Sequence, residues 1–241
     1  MICGALSRTT IWFPTGYNGP CIGSDFVDKF EDQDIRKGTV YSYTNGPTNP
    51  GRRVNVGFLV GQQYNLNTGA ALTDRTGKPL AFTREVKIIE TDPKTLERTG
   101  IRPMKYPPDF INNGAGTTDN DMVHLRLPDI LLMKAEAILR GGTATTAGTY
   151  GNTPLALVNS IRTNASRKAS ALSSVTLDVL LDERGRELYL EMWRRQDLVR
   201  FGKFLAPVQE KPQTSASTYL IFPIPNQQIA VNPNLTQNPG Y

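Results

Sequence analysis

Cysteine and histidine are nearly missing from this 241-residue chain, which has only Cys3, Cys21 and His124 of the two. Two cysteines allow neither a disulfide framework nor a thiolate cage for zinc, and they leave the redox compartment open. One histidine rules out a multi-histidine metal site, so His124 is read as a polar structural residue. Charge of one sign is not concentrated anywhere. The net charge is +5 and the pI about 9.2, yet Arg52/Arg53 and Arg194/Arg195 are isolated pairs and acidic residues are interleaved elsewhere, so no nucleic-acid partner is expected. No run approaches the roughly 18 apolar residues of a membrane span, and Met1 to Arg8 lacks the apolar core of an export signal. As written, the polypeptide is expected to stay where it is made. Cys3-Gly4 has the local form of a lipidated cysteine, but such a site needs a hydrophobic segment before it and only two residues precede Cys3, which is therefore read as incidental. Phosphate-binding glycine loops and the G-x-S-x-G elbow are absent too, which removes the usual signatures of nucleotide binding and serine hydrolysis.

What is plentiful is backbone punctuation: 21 Gly and 17 Pro predict long irregular loops around a helical nucleus. The length is sufficient for a sizeable core without metals or disulfides. Residues 1–120 read as a loop-rich region with short strands, broken by Gly19-Pro20, Asn45-Gly46 and Pro50-Gly51. Strands are predicted over Val54–Val60 and Phe82–Ile89 from alternation and branched side chains. Residues 121–241 read as a helical region with an extended tail. A helix is expected over Asp129–Arg140 with Pro128 in its first turn, Leu131, Ala135 and Ile138 on one face, and Gly141-Gly142 as its stop. A second begins with Thr153 as N-cap and Pro154 at the first position, its stripe being Val158, Ile161 and Ala165. A third is expected from about Thr176 to Arg200, on the spacing of Leu177, Leu181, Leu188 and Met192. From Tyr219 the prolines predict an extended, non-helical tail lying in a groove between helices. No fixed-period repeat is present, and one hairpin cannot bury its own apolar face, so the chain is expected to be part of something longer.

Glu183, Glu187 and Glu191 lie at i, i+4 and i+8, and paired carboxylates are the tools of glycosidases. Interleaved Arg184, Arg186, Arg194 and Arg195 favour a structural reading in which arginines pin this helix to loops and tail, with Glu191–Arg195 as an i,i+4 pair. Glu31, Asp32 and Asp34 ahead of Gly38 leave calcium open, although the regular spacing of a calcium loop is absent. Sugars present apolar ring faces edged with hydroxyls, so their sites need aromatic platforms and planar hydrogen-bonding groups on loops. Trp12, Tyr17 and Asn18, in a Gly/Pro-rich stretch, form such a group; for Trp12, packing beneath the loop with Phe13 stays equally open.

Five motifs then fall in order. Arg126-Leu-Pro-Asp-Ile-Leu-Leu-Met-Lys-Ala-Glu-Ala137, Val158-Asn-Ser-Ile-Arg162, Leu181-Asp-Glu-Arg-Gly-Arg-Glu-Leu188, Glu191 through Lys203, and Phe222-Pro-Ile-Pro225 with the closing Gln237-Asn-Pro-Gly-Tyr241 resemble the C-terminal half of SusD/RagB proteins. Asp25–Glu31, Asp34–Gly38 and Met104–Pro107 resemble further landmarks of that family. The resemblance implies a mainly α fold, SusD-like, with a tetratricopeptide-like helical hairpin plus long loops and short strands. It further implies non-catalytic binding of oligosaccharide at the outer-membrane surface, delivery to a SusC-like TonB-dependent transporter, no cofactor, and a lipid anchor carried by sequence missing from this chain. Two other classes of function stay in view: a glycoside hydrolase, which needs two carboxylates converging in a cleft, and a helical-repeat protein-interaction module.

Overall fold

Branched residues alternate from Arg53 onward, and this run becomes the central strand of a three-stranded antiparallel sheet in the computed structural model, which describes residues 21–43, 53–86, 91–92, 95–107 and 121–241. Strand β1 (Gly38–Ser42) and β5 (Arg102–Met104) flank β2 (Arg53–Leu59), in the order β1-β2-β5, with Tyr41 opposite Val54 and Leu59 opposite Arg102. At Gly57 the backbone has φ +99°, and a Cβ there would lie 2.6 Å from the Lys37 carbonyl oxygen. Only glycine allows that approach, and it seats the loop carrying Arg36 directly against the sheet. The short strands β3 (Gly61–Gln62) and β4 (Ala81–Phe82) pair beside it. Of the strand expected over Phe82–Ile89, the described part pairs only at Ala81–Phe82: beyond it the Thr83 amide leaves the ladder for the Arg98 carbonyl at 3.0 Å, and residues 87–89 lie outside the described set.

A one-turn helix α1 (Ser24–Val27) sets Phe26 against Phe58 of β2, and Phe30, just beyond it, meets Tyr189 at the end of a distant helix. Phe30 and Phe58 lie edge to face with centroids 5.0 Å apart, and Phe58 lies 5.0 Å from Tyr189. Val27 and Ile101 complete this buried cluster. Such ring pairs contribute about 0.5–1.5 kcal/mol each beyond burial.

The second core is helical. Helix α2 (Leu127–Leu139) has Pro128 in its first turn; α3 (Pro154–Arg162) is capped by Thr153, whose Oγ1 accepts from the Ala156 amide at 3.1 Å; α4 (Leu177–Leu188) is capped likewise by Thr176. Leu131, Leu132 and Ala135 of α2 pack on Leu157, Val158 and Ile161 of α3 and Leu180 of α4. Burying each such aliphatic side chain is worth about 1.5–3 kcal/mol. Ala165 is not part of the stripe: α3 ends at Arg162 and the chain turns, leaving Ala165 exposed. Among the described residues no helix is long and apolar enough to cross a membrane.

The expected third helix is two. It breaks after Leu188, and α5 (Arg194–Arg200) begins only after Leu190 (φ +62°) and Met192 (φ +66°) have entered the left-handed region. Met192 is consequently 84% exposed instead of lying on an apolar stripe. The break turns Tyr189 into the aromatic cluster and Glu191 back toward α2, and those contacts offset the local strain.

The tail also departs from expectation. A 3-10 turn (Ser217–Leu220) and a short helix α6 (Asn226–Val231) interrupt it, because Pro225 sits at the N-cap, where its missing N–H costs nothing. No groove receives it deeply: every residue from Leu198 to Tyr241 keeps solvent contact. It is held to α5 by Arg195, whose Nη2 donates to the Tyr219 carbonyl at 3.0 Å, and it closes on itself where the Tyr241 hydroxyl meets the Thr218 and Ile221 carbonyls at 2.9 and 3.0 Å.

Candidate functional site

Trp12, Tyr17 and Asn18, like Cys3, lie outside the described residues. His124 is exposed, its ring centroid 6.3 Å from that of the half-buried Trp193. What the structure does place are the three carboxylates of the α4 region. Glu183, Glu187 and Glu191 are 0%, 1% and 7% exposed, so none opens onto a cleft.

Each carboxylate is met by several cations. Arg36 reaches from the loop before β1, its Nη1 donating to Glu183 at 2.7 Å and Glu187 at 2.9 Å while its Nη2 holds Asp34 at 2.8 Å. Glu183 also accepts from Arg162 at the end of α3 (2.7 Å) and from Arg186 (2.8 Å). Arg167, in the turn after α3, donates to Glu187 at 2.5 Å, and Arg126, just before α2, pairs with both Glu187 and Glu191. Lys105, one residue past β5, pairs with Glu191 and donates to the Tyr189 carbonyl at 3.0 Å. The sequence expectation of a Glu191–Arg195 pair fails. The helix break lies between them, so Glu191 faces Arg126 and Lys105 whereas Arg195 stacks on Phe204 and Phe222, 4.8 and 4.4 Å from their centroids.

The electrostatics follow from this crowding. Burial alone would raise the Glu187 carboxyl, but hydrogen bonds from Arg167 and the charge of Arg126 outweigh it and bring its pKa to about 2. Glu183 is lowered in the same way: burial opposes, and the charges of Arg36 and Arg186 prevail. Burial pushes the Lys105 ammonium down to about 8 despite Glu191. A glycosidase acid needs a raised pKa and access to a leaving-group oxygen. Glu187 has the opposite of both. Glu31, Asp32 and Asp34 do not converge either: they pair separately with Arg162, Lys37 and Arg36. Among the described residues no group of three or more His, Cys, Asp or Glu side chains is placed to hold a metal ion.

A second group of ion pairs sits on an adjacent face of α4. Arg184, 1% exposed, donates from Nε to Asp197 of α5 at 2.9 Å and lies 2.9 Å from Asp129 of α2. Beside it, Arg194 lies flat over Gly185 and donates to the Leu181 carbonyl at 2.9 Å; a Cβ at residue 185 would sit 2.9 Å from the Arg194 guanidinium and 3.2 Å from the Phe26 ring. The pocket here, about 200 Å³ and lined by Phe26, Leu188 and Arg194 among others, is below the roughly 300 Å³ at which small-molecule sites begin.

The sequence singled out the carboxylates and, among their partners, Arg186, but not the cations that come from outside the helix. Arg36, Lys105, Arg126 and Arg167 come from separate loops, which no helical periodicity links to α4. The signal was present in another form. Three of those four stand inside the landmark segments Asp34–Gly38, Met104–Pro107 and Arg126–Ala137, so motifs scattered over much of the chain converge on one ion-pair cluster.

The profile of the SusD family matches residues 14–241. The starch-binding protein SusD of Bacteroides thetaiotaomicron is 39% identical over 134 residues, covering 51% of this chain and 22% of the relative. The SusD-like protein P38 of Formosa agariphila is 30% identical over 147 residues, covering 54% and 27%. The chain therefore spans only about a quarter of the length of these curated relatives. Among solved structures, a SusD superfamily protein from Parabacteroides distasonis superposes with a TM-score of 0.56 at 21% identity, covering 98% of this chain and 45% of its own. Surface glycan-binding protein A from Bacteroides thetaiotaomicron, solved with laminarihexaose, gives 0.58 at 18% identity with the same coverage. On this match over nearly its whole length, the chain belongs to the SusD family.

Proposed function

We propose that this chain forms part of a non-catalytic glycan-capture protein at the outer-membrane surface, holding an oligosaccharide for delivery to a SusC-like TonB-dependent transporter. One observation carries the reading: in a chain whose sequence relative is named a starch-binding protein, the acidic residues best arranged for glycoside chemistry are buried and consumed by cations. Capture by stacking and hydrogen bonding needs no proton donor near neutrality and no cofactor. In this reading α2 and α3 serve as a tetratricopeptide-like hairpin and α4 as the strut between it and the loops. Trp12, Tyr17 and Asn18 supply the aromatic face and planar polar edge of the sugar site. A lipid anchor holds the protein to the membrane.

The test is calorimetry on the purified chain with maltohexaose and laminarihexaose, alongside a reducing-sugar assay. Binding without release of reducing ends is expected, with Trp12→Ala weakening affinity at least tenfold and leaving the melting temperature unchanged. Release of reducing ends would overturn the non-catalytic reading; undiminished affinity in Trp12→Ala would remove this residue from the site.

A further inference from the structure

The segment from β3 to β4 packs one face inward and turns the other outward. Residues 61–73 contain no charged side chain; amides and hydroxyls surround a single aromatic residue, Tyr64. Side chains alternate between faces along paired strands. Gln63 is 5% exposed and donates its side-chain amide to the Gly61 carbonyl at 2.9 Å, and Leu72 packs on the buried cluster of Leu59, Leu80 and Phe82. Tyr64, Ala71 and Thr73, each one position on from these anchors, therefore point away from the core, and all three are exposed.

Tyr64 stands directly opposite Ala71 in the ladder. Opposed residues share a face with their Cβ atoms about 5 Å apart, so the Tyr64 ring, 49% exposed, has only a methyl group beside it. Tyr41, similarly exposed at 43%, differs: Tyr43 lies against it with ring centroids 5.0 Å apart. The turn next to Tyr64 is fixed from within. Asn65 Oδ1 accepts from the amides of Asn67 and Thr68 at 3.0 and 3.2 Å, Gly69 takes φ +75°, and Arg53 donates to the Leu66 carbonyl. Asn67 and Thr73 are exposed, and among the described residues neither side chain is engaged in a hydrogen bond. A platform already held in shape loses little freedom on binding. A pyranose offers an apolar C–H face edged with hydroxyls, and one uncovered ring with a hydroxyl and a carboxamide near it, all without charge, matches that chemistry. A protein partner would find Ala71 and Thr73 beside the ring instead of the large apolar anchors of an interface core.

We propose that the outer face of this segment is a further carbohydrate-contacting surface, with the Tyr64 ring stacked on a pyranose and Thr73 and Asn67 meeting its hydroxyls. It rests on the glycan reading above and does not involve Trp12, Tyr17 or Asn18. The experiment is calorimetry of the full 241-residue chain with maltohexaose and with laminarihexaose, each variant accompanied by a circular-dichroism melt. Tyr64→Ala should weaken binding roughly fivefold or more, whereas Tyr64→Phe, which keeps the ring, should bind nearly as well as the wild type. Tyr41→Ala should bind unchanged. Ala71→Leu covers the ring from across the ladder and should weaken binding without lowering the melt, which keeps the claim open to refutation if Tyr64→Ala folds poorly. Undiminished affinity in Ala71→Leu and in folded Tyr64→Ala would overturn the proposal and leave the glycan reading standing. A loss in Tyr41→Ala as large as in Tyr64→Ala would overturn it as well. A wild-type chain that binds neither oligosaccharide would overturn the glycan reading and this surface together.

Discussion

Arg126 and Glu191 form a two-point contact across the molecule: Nε of the residue that precedes α2 donates to Oε2 and Oε1 of a residue beyond the end of α4, at 2.8 and 3.1 Å. Glu191 is buried and could not be left unpaired at this depth. An ion pair of this kind adds little over well-packed apolar groups, but losing one partner strands the other. The cluster around α4 therefore acts as a condition of folding more than as a surplus of stability.

Glu187→Ala should accordingly lower unfolding free energy by about 3–5 kcal/mol, because Arg36, Arg126 and Arg167 lose a shared partner. Urea unfolding followed by circular dichroism measures this. Glycan affinity of the fraction that remains folded should change far less; intact stability with abolished binding would place Glu187 in a ligand site instead.

Acid sensitivity follows from the same residue. The folded pKa of Glu187, about 2, lies below its ordinary 4.5, so its contribution is fully present above about pH 5 and is lost as pH falls from 4.5 toward 2. Its share is about 3 kcal/mol, and the lowered Glu183 acts in the same direction. Stability measured from pH 7 to pH 2 should fall across that window, and Glu187→Gln should flatten the fall. A level wild-type profile would contradict the assignment.

Gly185→Ala tests the close passage of Arg194 over α4. Alanine favours a helix interior by about 1 kcal/mol over glycine, yet here its methyl would meet the guanidinium at 2.9 Å and the Phe26 ring at 3.2 Å. Overpacking of this kind costs about 1–3 kcal/mol. A net loss in midpoint denaturant concentration is expected, and a gain would mean that Arg194 moves aside freely.

Met192→Gly should do the reverse of most glycine substitutions. Met192 is 84% exposed with φ +66°, a conformation costing a non-glycine residue about 1–2 kcal/mol. Glycine removes that strain against an entropic penalty of about 0.5–1 kcal/mol. A gain of about 0.5 kcal/mol is expected in thermal unfolding; a loss would show that the side chain holds something.

How much of this was legible depended on the range of the interaction. The Thr153 cap, Pro128 in the first turn of α2 and the Leu131/Val158/Ile161 core are local patterns, and the sequence carried them. The α4–α5 break could not be seen, since Leu177 to Met192 keeps helical spacing and only tertiary contacts of Tyr189 and Glu191 force the chain out of it. Strand β1 was missed because all five of its residues are exposed, leaving no alternation to find. Of the candidate site, the carboxylates were visible as an i, i+4, i+8 series, whereas their partners arrive from as far as 151 residues away in the chain.

That span has a consequence for how the molecule comes into being. Arg36 leaves the ribosome well ahead of Glu183 and Glu187, 147 and 151 residues later, an interval of about 7–30 s at ordinary elongation rates. Until then its guanidinium has to stay hydrated, so the sheet cannot settle into its final seating before α4 has emerged. Completion of the fold is tied to the emergence of one late helix, and the barrier is expected to be that of closing a very long loop.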